Sequence, residues 1–139
     1  MSAIGAVDIG GTKIAVGAVN RDGKLLSKLE SATGTNWGYV QGLELVAEML
    51  RAAATTAGVE LRGIGIGSTG PVDPFTGCFG DIDFLPQWRG KNPVEDLARI
   101  FKVQVALEND ADAAALAEWG WGAGKNKSRL CLLYTSRCV

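Results

Sequence analysis

A chain of 139 residues that is 47% hydrophobic and 21% charged has the balance of one globular domain able to bury a core, which excludes a disordered segment. Its net charge of −1, with basic residues scattered, gives no footprint for nucleic acid or an anionic membrane, and no apolar run reaches a spanning length. With no histidine, any general base must be a carboxylate, a lysine or a tyrosine, and the three cysteines lack zinc spacing and are too few for a disulfide framework.

The run Ala3-Ile4-Gly5-Ala6-Val7 predicts a first strand over about 3–9. A hairpin partner follows over about 12–20, with Gly10-Gly11 as the tight connection. Asn20-Arg21-Asp22-Gly23 is a hairpin turn signal leading into a third strand from Lys24 to about Glu30. After the polar stretch Ser31 to Asn36, apolar side chains at Val40, Leu43, Ala47, Leu50 and Ala54 mark one face of a helix closed by Gly58. Leu61 to Gly67 is the next strand. A loop rich in Gly and Pro runs to about Gly90, where Asn92-Pro93-Val94-Glu95 supplies an N-cap, a first-turn proline and a capping glutamate. The helix it opens buries Val94, Leu97, Ala98 and Phe101. Val103 to Leu107 reads as a strand and the alanine-rich segment from Asp110 to about Trp119 as a helix, with a further strand open from Arg129. The order βββαβαβα, an antiparallel meander extended by βα units, predicts an α/β fold with a mixed sheet and helices packed on it.

Asp8-Ile9-Gly10-Gly11-Thr12-Lys13 puts an acid at a strand end, followed by two glycines, a hydroxyl and a cation. Exposed backbone N–H groups at such glycines can cradle phosphate oxygens, with Asp8 near a magnesium ion. An ordinary β-turn flanked by an acid and a lysine fits the same residues. Gly65-Ile66-Gly67-Ser68-Thr69-Gly70 has the spacing of a dinucleotide fingerprint, but Pro71 and Pro74 break the helix that the fingerprint requires. Glu108-Asn109-Asp110 sits at a strand–helix junction, where Asn109 can be an N-cap and Asp110 a first-turn acid. The same amide and carboxylate can hydrogen-bond neighbouring hydroxyls of a sugar, the carboxylate accepting a proton from one of them. Of Trp37, Trp88, Trp119 and Trp121, Trp88 lies in a loop suited to line a cleft, although burial is the commoner fate of tryptophan. Asp73, Asp81, Asp83 and Glu118 read as turn or surface acids.

The final residues, Cys131 to Val139, back-translate to a transposon end used in sequencing libraries, joined to its reverse complement. We therefore expect 131–139 to be an adapter-derived, non-native tail and the genuine domain to occupy 1–130.

Taken in order, the Asp8–Lys13 motif, the loop Gly67-Ser68-Thr69-Gly70-Pro71-Val72 and the segment Glu108-Asn109-Asp110-Ala111-Asp112-Ala113-Ala114-Ala115 resemble the ROK family of sugar kinases and repressors. The resemblance covers nearly the whole genuine chain. It implies an actin-like ATPase, ribonuclease H-like N-terminal domain, one of two that close on ATP and a hexose. By this resemblance Asp8 helps hold Mg2+, directly or through water, and Gly10, Gly11, Thr12 and Lys13 surround the phosphates. Asn109 and Asp110 bind sugar hydroxyls, Asp110 is also the base toward the attacking hydroxyl, and Gly70 and Pro71 approach the sugar by backbone. Members of the family continue into a second phosphate motif, a Glu-x-Gly-His sugar clamp, a structural zinc site and an adenosine pocket, which this chain lacks. The implied function is the N-terminal part of an ATP-dependent, glucokinase-like hexose kinase, inactive as this fragment.

The resemblance also suggests a homodimeric parent protein. The sugar-sensing domain of a ROK-type transcriptional repressor is the alternative, but such repressors carry a helix-turn-helix before the Asp8 motif, where this chain has seven residues. The N-terminus has neither a basic region nor a long apolar stretch before Asp8, so a cytoplasmic location is expected, with no membrane or nucleic-acid partner.

Overall fold

In the computed structural model the elements run β1 (Ser2–Ile9), β2 (Lys13–Val19), β3 (Leu25–Ala32), α1 (Tyr39–Ala57), β4 (Glu60–Ser68), β5 (Val72–Asp73), β6 (Cys78–Phe79), α2 (Pro93–Phe101), β7 (Gln104–Asn109), α3 (Asp110–Trp121), β8 (Cys131–Leu132) and β9 (Arg137–Cys138). The structure describes residues 1–33, 37–132 and 137–138. The expectation of a polar connection up to Asn36 thus falls partly outside the described residues, as does that of a non-native tail. Relative to the order expected from sequence, the loop after β4 contributes an extra hairpin of two-residue strands, β5 with β6, and a short 3-10 turn at Pro86–Trp88.

One five-stranded sheet has the order β3-β2-β1-β4-β7. β1 pairs antiparallel with β2 and parallel with β4, and β4 pairs parallel with β7. The Asn20–Gly23 turn closes β2 on β3 through the Gly23 N–H to the Asn20 carbonyl at 3.0 Å, with Gly23 at φ +80°. Because strand side chains alternate, one sheet face carries Val7, Ile9, Ile14, Val16, Ile64, Ile66 and Leu107, all buried. α1 packs on the β1–β3 half of that face and α2 beside β7. α3 lies on the opposite face, where a Cβ at Gly67 would stand 3.8 Å from both Asp110 Cα and Ala113 Cβ.

Two sequence expectations change. The buried stripe of α1 is Tyr39, Gly42, Val46, Ala47, Met49, Leu50 and Ala53, so Val40 points outward and is 65% exposed. The stripe is rotated because its key position is a glycine: a Cβ at Gly42 would overlap Trp88 Cζ2. Trp88 is therefore core rather than cleft lining. It is 1% exposed, with Tyr39 and Phe79 edge-on to its ring at 5.1 and 5.4 Å. The Gly- and Pro-rich loop buries Phe79, Ile82, Leu85 and Trp88 and completes the core beneath α1. No helix among the described residues is long and apolar enough to cross a membrane.

Candidate functional site

The parallel strands β1, β4 and β7 end at one edge of the sheet, and their register decides what meets there. Asp8 stands beside Gly67, and Gly67 beside Glu108. One step on, Ile9 lies beside Ser68, and Ser68 beside Asn109. Two sequence-remote motifs, the Asp8 turn and Asn109-Asp110, are thus brought to a single ledge. Gly67 between them leaves space for the first turn of α3.

Gly10, Gly11 and Thr12 connect β1 to β2, with the Gly10 N–H donating to the Lys13 carbonyl at 3.0 Å. Thr33 braces this turn: its hydroxyl donates to the Gly10 carbonyl at 3.1 Å and its N–H to the Thr12 carbonyl at 2.9 Å. A Cβ at Gly11 would find only ordinary contact with Phe84, at 3.5 Å, so packing does not demand glycine there. Lys13 is not aimed into the turn. Its ammonium lies 3.1 Å from Glu30 Oε1, which Lys28 also approaches, at 2.6 Å. Sequence reading missed Lys28 and Glu30. Ala15 pairs with Asp8 across β1–β2 and with Glu30 across β2–β3, so the three strands carry Asp8 and Glu30 on one face; the one-residue register shift between Ala18 and Val19 sets that face, because the Val19–Leu25 pairing at the turn, continued unshifted, would put Leu29 beside Ala15.

Asn109 ends β7 and caps α3, its Oδ1 accepting the Ala111 N–H at 3.0 Å. Its Nδ2 donates to the Gly70 carbonyl at 3.4 Å, which fixes the amide's orientation and leaves a second N–H free. Gly70, at φ +87°, follows β4 and packs on Ile82 and Phe84. Pro71 is exposed, and its carbonyl accepts the Gly80 N–H at 2.8 Å. Asp110, the first residue of α3, accepts the Thr69 hydroxyl on Oδ2 at 3.0 Å and the Ala111 N–H on Oδ1 at 2.8 Å. Thr69 was not singled out from sequence, since a lone hydroxyl in a loop carries no local signal.

Electrostatics couple the two motifs. Desolvation by the surrounding protein, and next the charge of Asp110, push the Asp8 carboxyl above its ordinary value, while Lys13 and Lys28 pull it back. A pair of carboxylates that repel each other on an open ledge offers hard oxygen donors to a divalent cation, which would remove the repulsion. Among the described residues no three His, Cys, Asp or Glu side chains form a metal cage. That arrangement suits magnesium, which keeps several waters and binds through one or two carboxylates plus phosphate oxygens. Two concavities, of about 300 Å³ beside Trp37 and Glu48 and about 600 Å³ beside Arg51, Arg62 and Lys102, include none of these residues.

The sequence model of the ROK family matches residues 4–139. The glucokinase of Thermotoga maritima is 35% identical over 107 residues, which are 77% of this chain and 33% of that protein. A ROK hexokinase from Thermus thermophilus superposes with a TM-score of 0.81 at 35% identity, covering 91% of this chain and 41% of that one. A ROK glucokinase from Streptomyces griseus, solved with glucose and AMPPNP, superposes with a TM-score of 0.79 at 30% identity, covering 91% and 39%. The chain spans about a third of the length of the curated relatives it matches.

Proposed function

The chain belongs to the ROK family, and from that premise we propose that it forms the N-terminal part of an ATP-dependent hexose kinase that transfers the γ-phosphoryl group to a sugar hydroxyl. The observation that carries the reading is the strand register that sets Asp8 and Asp110 on one ledge, close enough for the charge of one to shift the other. Phosphoryl transfer needs such convergence, because its catalysis is chiefly the positioning of donor and acceptor with neutralisation of charge.

In this reading the Gly10-Gly11-Thr12 turn presents backbone N–H groups to the phosphates. Lys13 exchanges Glu30 for a phosphate oxygen, an exchange between solvent-exposed partners that costs little. Asn109 keeps its capping bond and uses its remaining N–H and lone pair on adjacent sugar hydroxyls. Gly70 and Pro71 bring backbone up to the sugar. Asp110 takes the hydroxyl proton as the sugar oxygen bonds to the γ-phosphorus and the bond to the bridging oxygen of ADP breaks. A magnesium ion held at Asp8, directly or through water, supplies charge neutralisation for the phosphates. The 139 residues hold one wall of this cleft, so alone they bind ATP weakly if at all and transfer no phosphate.

The test is the protein extended by its natural downstream sequence, assayed with ATP and a panel of hexoses including glucose and N-acetylhexosamines. Phosphorylation of one hexose, lost in Asp110→Asn by about 10²–10⁴-fold, is the expected result. Sugar binding without phosphorylation of any hexose would instead point to a regulator and overturn the kinase reading. ADP release by the 139-residue chain alone would overturn the view that it is only one wall.

A further inference from the structure

We propose that Thr69 is a positioning residue, whose hydroxyl fixes the Asp110 carboxylate in the orientation that receives the sugar proton. The proposal rests on the sugar-kinase reading above. The Thr69 side chain donates to Asp110 Oδ2 at 3.0 Å, and the Thr69 backbone N–H donates to the carbonyl of Ile9 at 3.3 Å. One residue therefore ties the base to the strand that enters the phosphate turn. Its neighbour Gly70 holds the Asn109 amide through its carbonyl, so the loop leaving β4 grips both members of the sugar pair.

The grip matters because Asp110 begins a helix at a partly exposed edge, where packing alone does not hold a short carboxylate in one rotamer. With Oδ1 on the Ala111 N–H and Oδ2 on the Thr69 hydroxyl, both torsions of the side chain are fixed. Each oxygen still has a lone pair for an incoming hydroxyl. An apolar residue of the same shape at position 69 would remove one tether, and a displacement of about 1 Å at a reacting group can cost about 100-fold in rate.

Thr69→Val removes the hydroxyl at constant shape, Thr69→Ser restores it, and Thr69→Ala is a second deletion should the valine disturb folding. In the 139-residue chain, three-bond NMR couplings report the Asp110 χ1 rotamer. We expect one rotamer in the wild type and in Thr69→Ser, and averaging in Thr69→Val and Thr69→Ala. Urea midpoints should stay unchanged, since Thr69 is exposed. In the extended protein the deletions should lower kcat by about 10- to 100-fold with the sugar KM changed much less, and serine should recover most of the loss. A single Asp110 rotamer and wild-type kcat in Thr69→Val, with transfer still abolished in Asp110→Asn, would overturn the positioning role and leave the kinase reading standing. Wild-type kcat in Asp110→Asn would overturn the role of Asp110 as base, and the rotamer measurement would still decide whether Thr69 orients it.

Discussion

Gly42→Ala adds a single methyl group to α1 at the point where Trp88 crosses it. Helix propensity alone favours the change by about 1 kcal/mol, because glycine in a helix interior loses the most backbone freedom on folding. Packing opposes it. The new Cβ would overlap Trp88 Cζ2 and lie 3.1 Å from Cε2 and Cη2. The ring cannot step aside, being 1% exposed with Tyr39 and Phe79 set edge-on against it. Overpacking of a close-packed core costs about 1–3 kcal/mol, and so rigid a site belongs at the upper end. The expected net effect is a loss of about 1–2 kcal/mol, read as a lower urea midpoint by circular dichroism. Gly120→Ala in α3 is the control. A Cβ there has nothing within 4 Å, so the same substitution should raise the midpoint, by up to about 1 kcal/mol. A Gly42→Ala chain as stable as the wild type, with Gly120→Ala behaving as stated, would refute the argument that Trp88 dictates glycine in α1.

Asp8→Asn should stabilise the chain at neutral pH while weakening magnesium-dependent nucleotide binding in the extended protein. The Asp8 carboxyl is raised above its ordinary value of 3.8 in the fold, so stability it contributes is complete below about pH 3.8 and lost as pH rises through the folded value. The melting-temperature gain of the variant should therefore be present at pH 7 and vanish toward pH 3.8. A gain independent of pH would contradict that origin. Tyr39→Phe removes the hydrogen bond from the Tyr39 hydroxyl to Asp96 Oδ2, at 2.7 Å, and should cost about 1.5–3 kcal/mol in urea unfolding. Burial, then the bond to Asp96, raise the Tyr39 phenol far above its ordinary value of 10, so the wild type should lose stability progressively above pH 10. The phenylalanine variant should lack that loss in an alkaline titration of the midpoint. Gly11→Ala meets only ordinary contact with Phe84 at a negative φ, so it should keep the wild-type midpoint yet impair ATP binding in the extended protein. A Gly11→Ala chain that unfolds early would make the glycine structural.

Local chemistry was legible in the sequence wherever one residue's own backbone preference decided the outcome. The Asn20–Gly23 turn, the left-handed cap at Gly58 and the Asn92 and Asn109 caps follow from conformations and side-chain bonds completed within a few residues. The acid-glycine-glycine motif and the Asn109-Asp110 pair could likewise be picked out, and the family resemblance supplied their meaning. Whatever depends on partners far along the chain was hidden. The buried stripe of α1 was misphased because one of its members, Gly42, has no side chain to count, and Trp88 passed for a cleft residue because the groups that enclose it, Tyr39 and Gly42 of α1, lie far along the chain. The turn of Lys13 toward Glu30, and the tether from Thr69 to Asp110 across 41 positions, exist only once β1, β2, β3, β4 and β7 are in register. Sequence alone determined which chemical groups stand at the strand ends, since short-range sterics and capping place them there. Only the tertiary structure decided which of them face one another, because strand pairing fixes side chains by register, and register is set by burial of the whole sheet face rather than by any local signal.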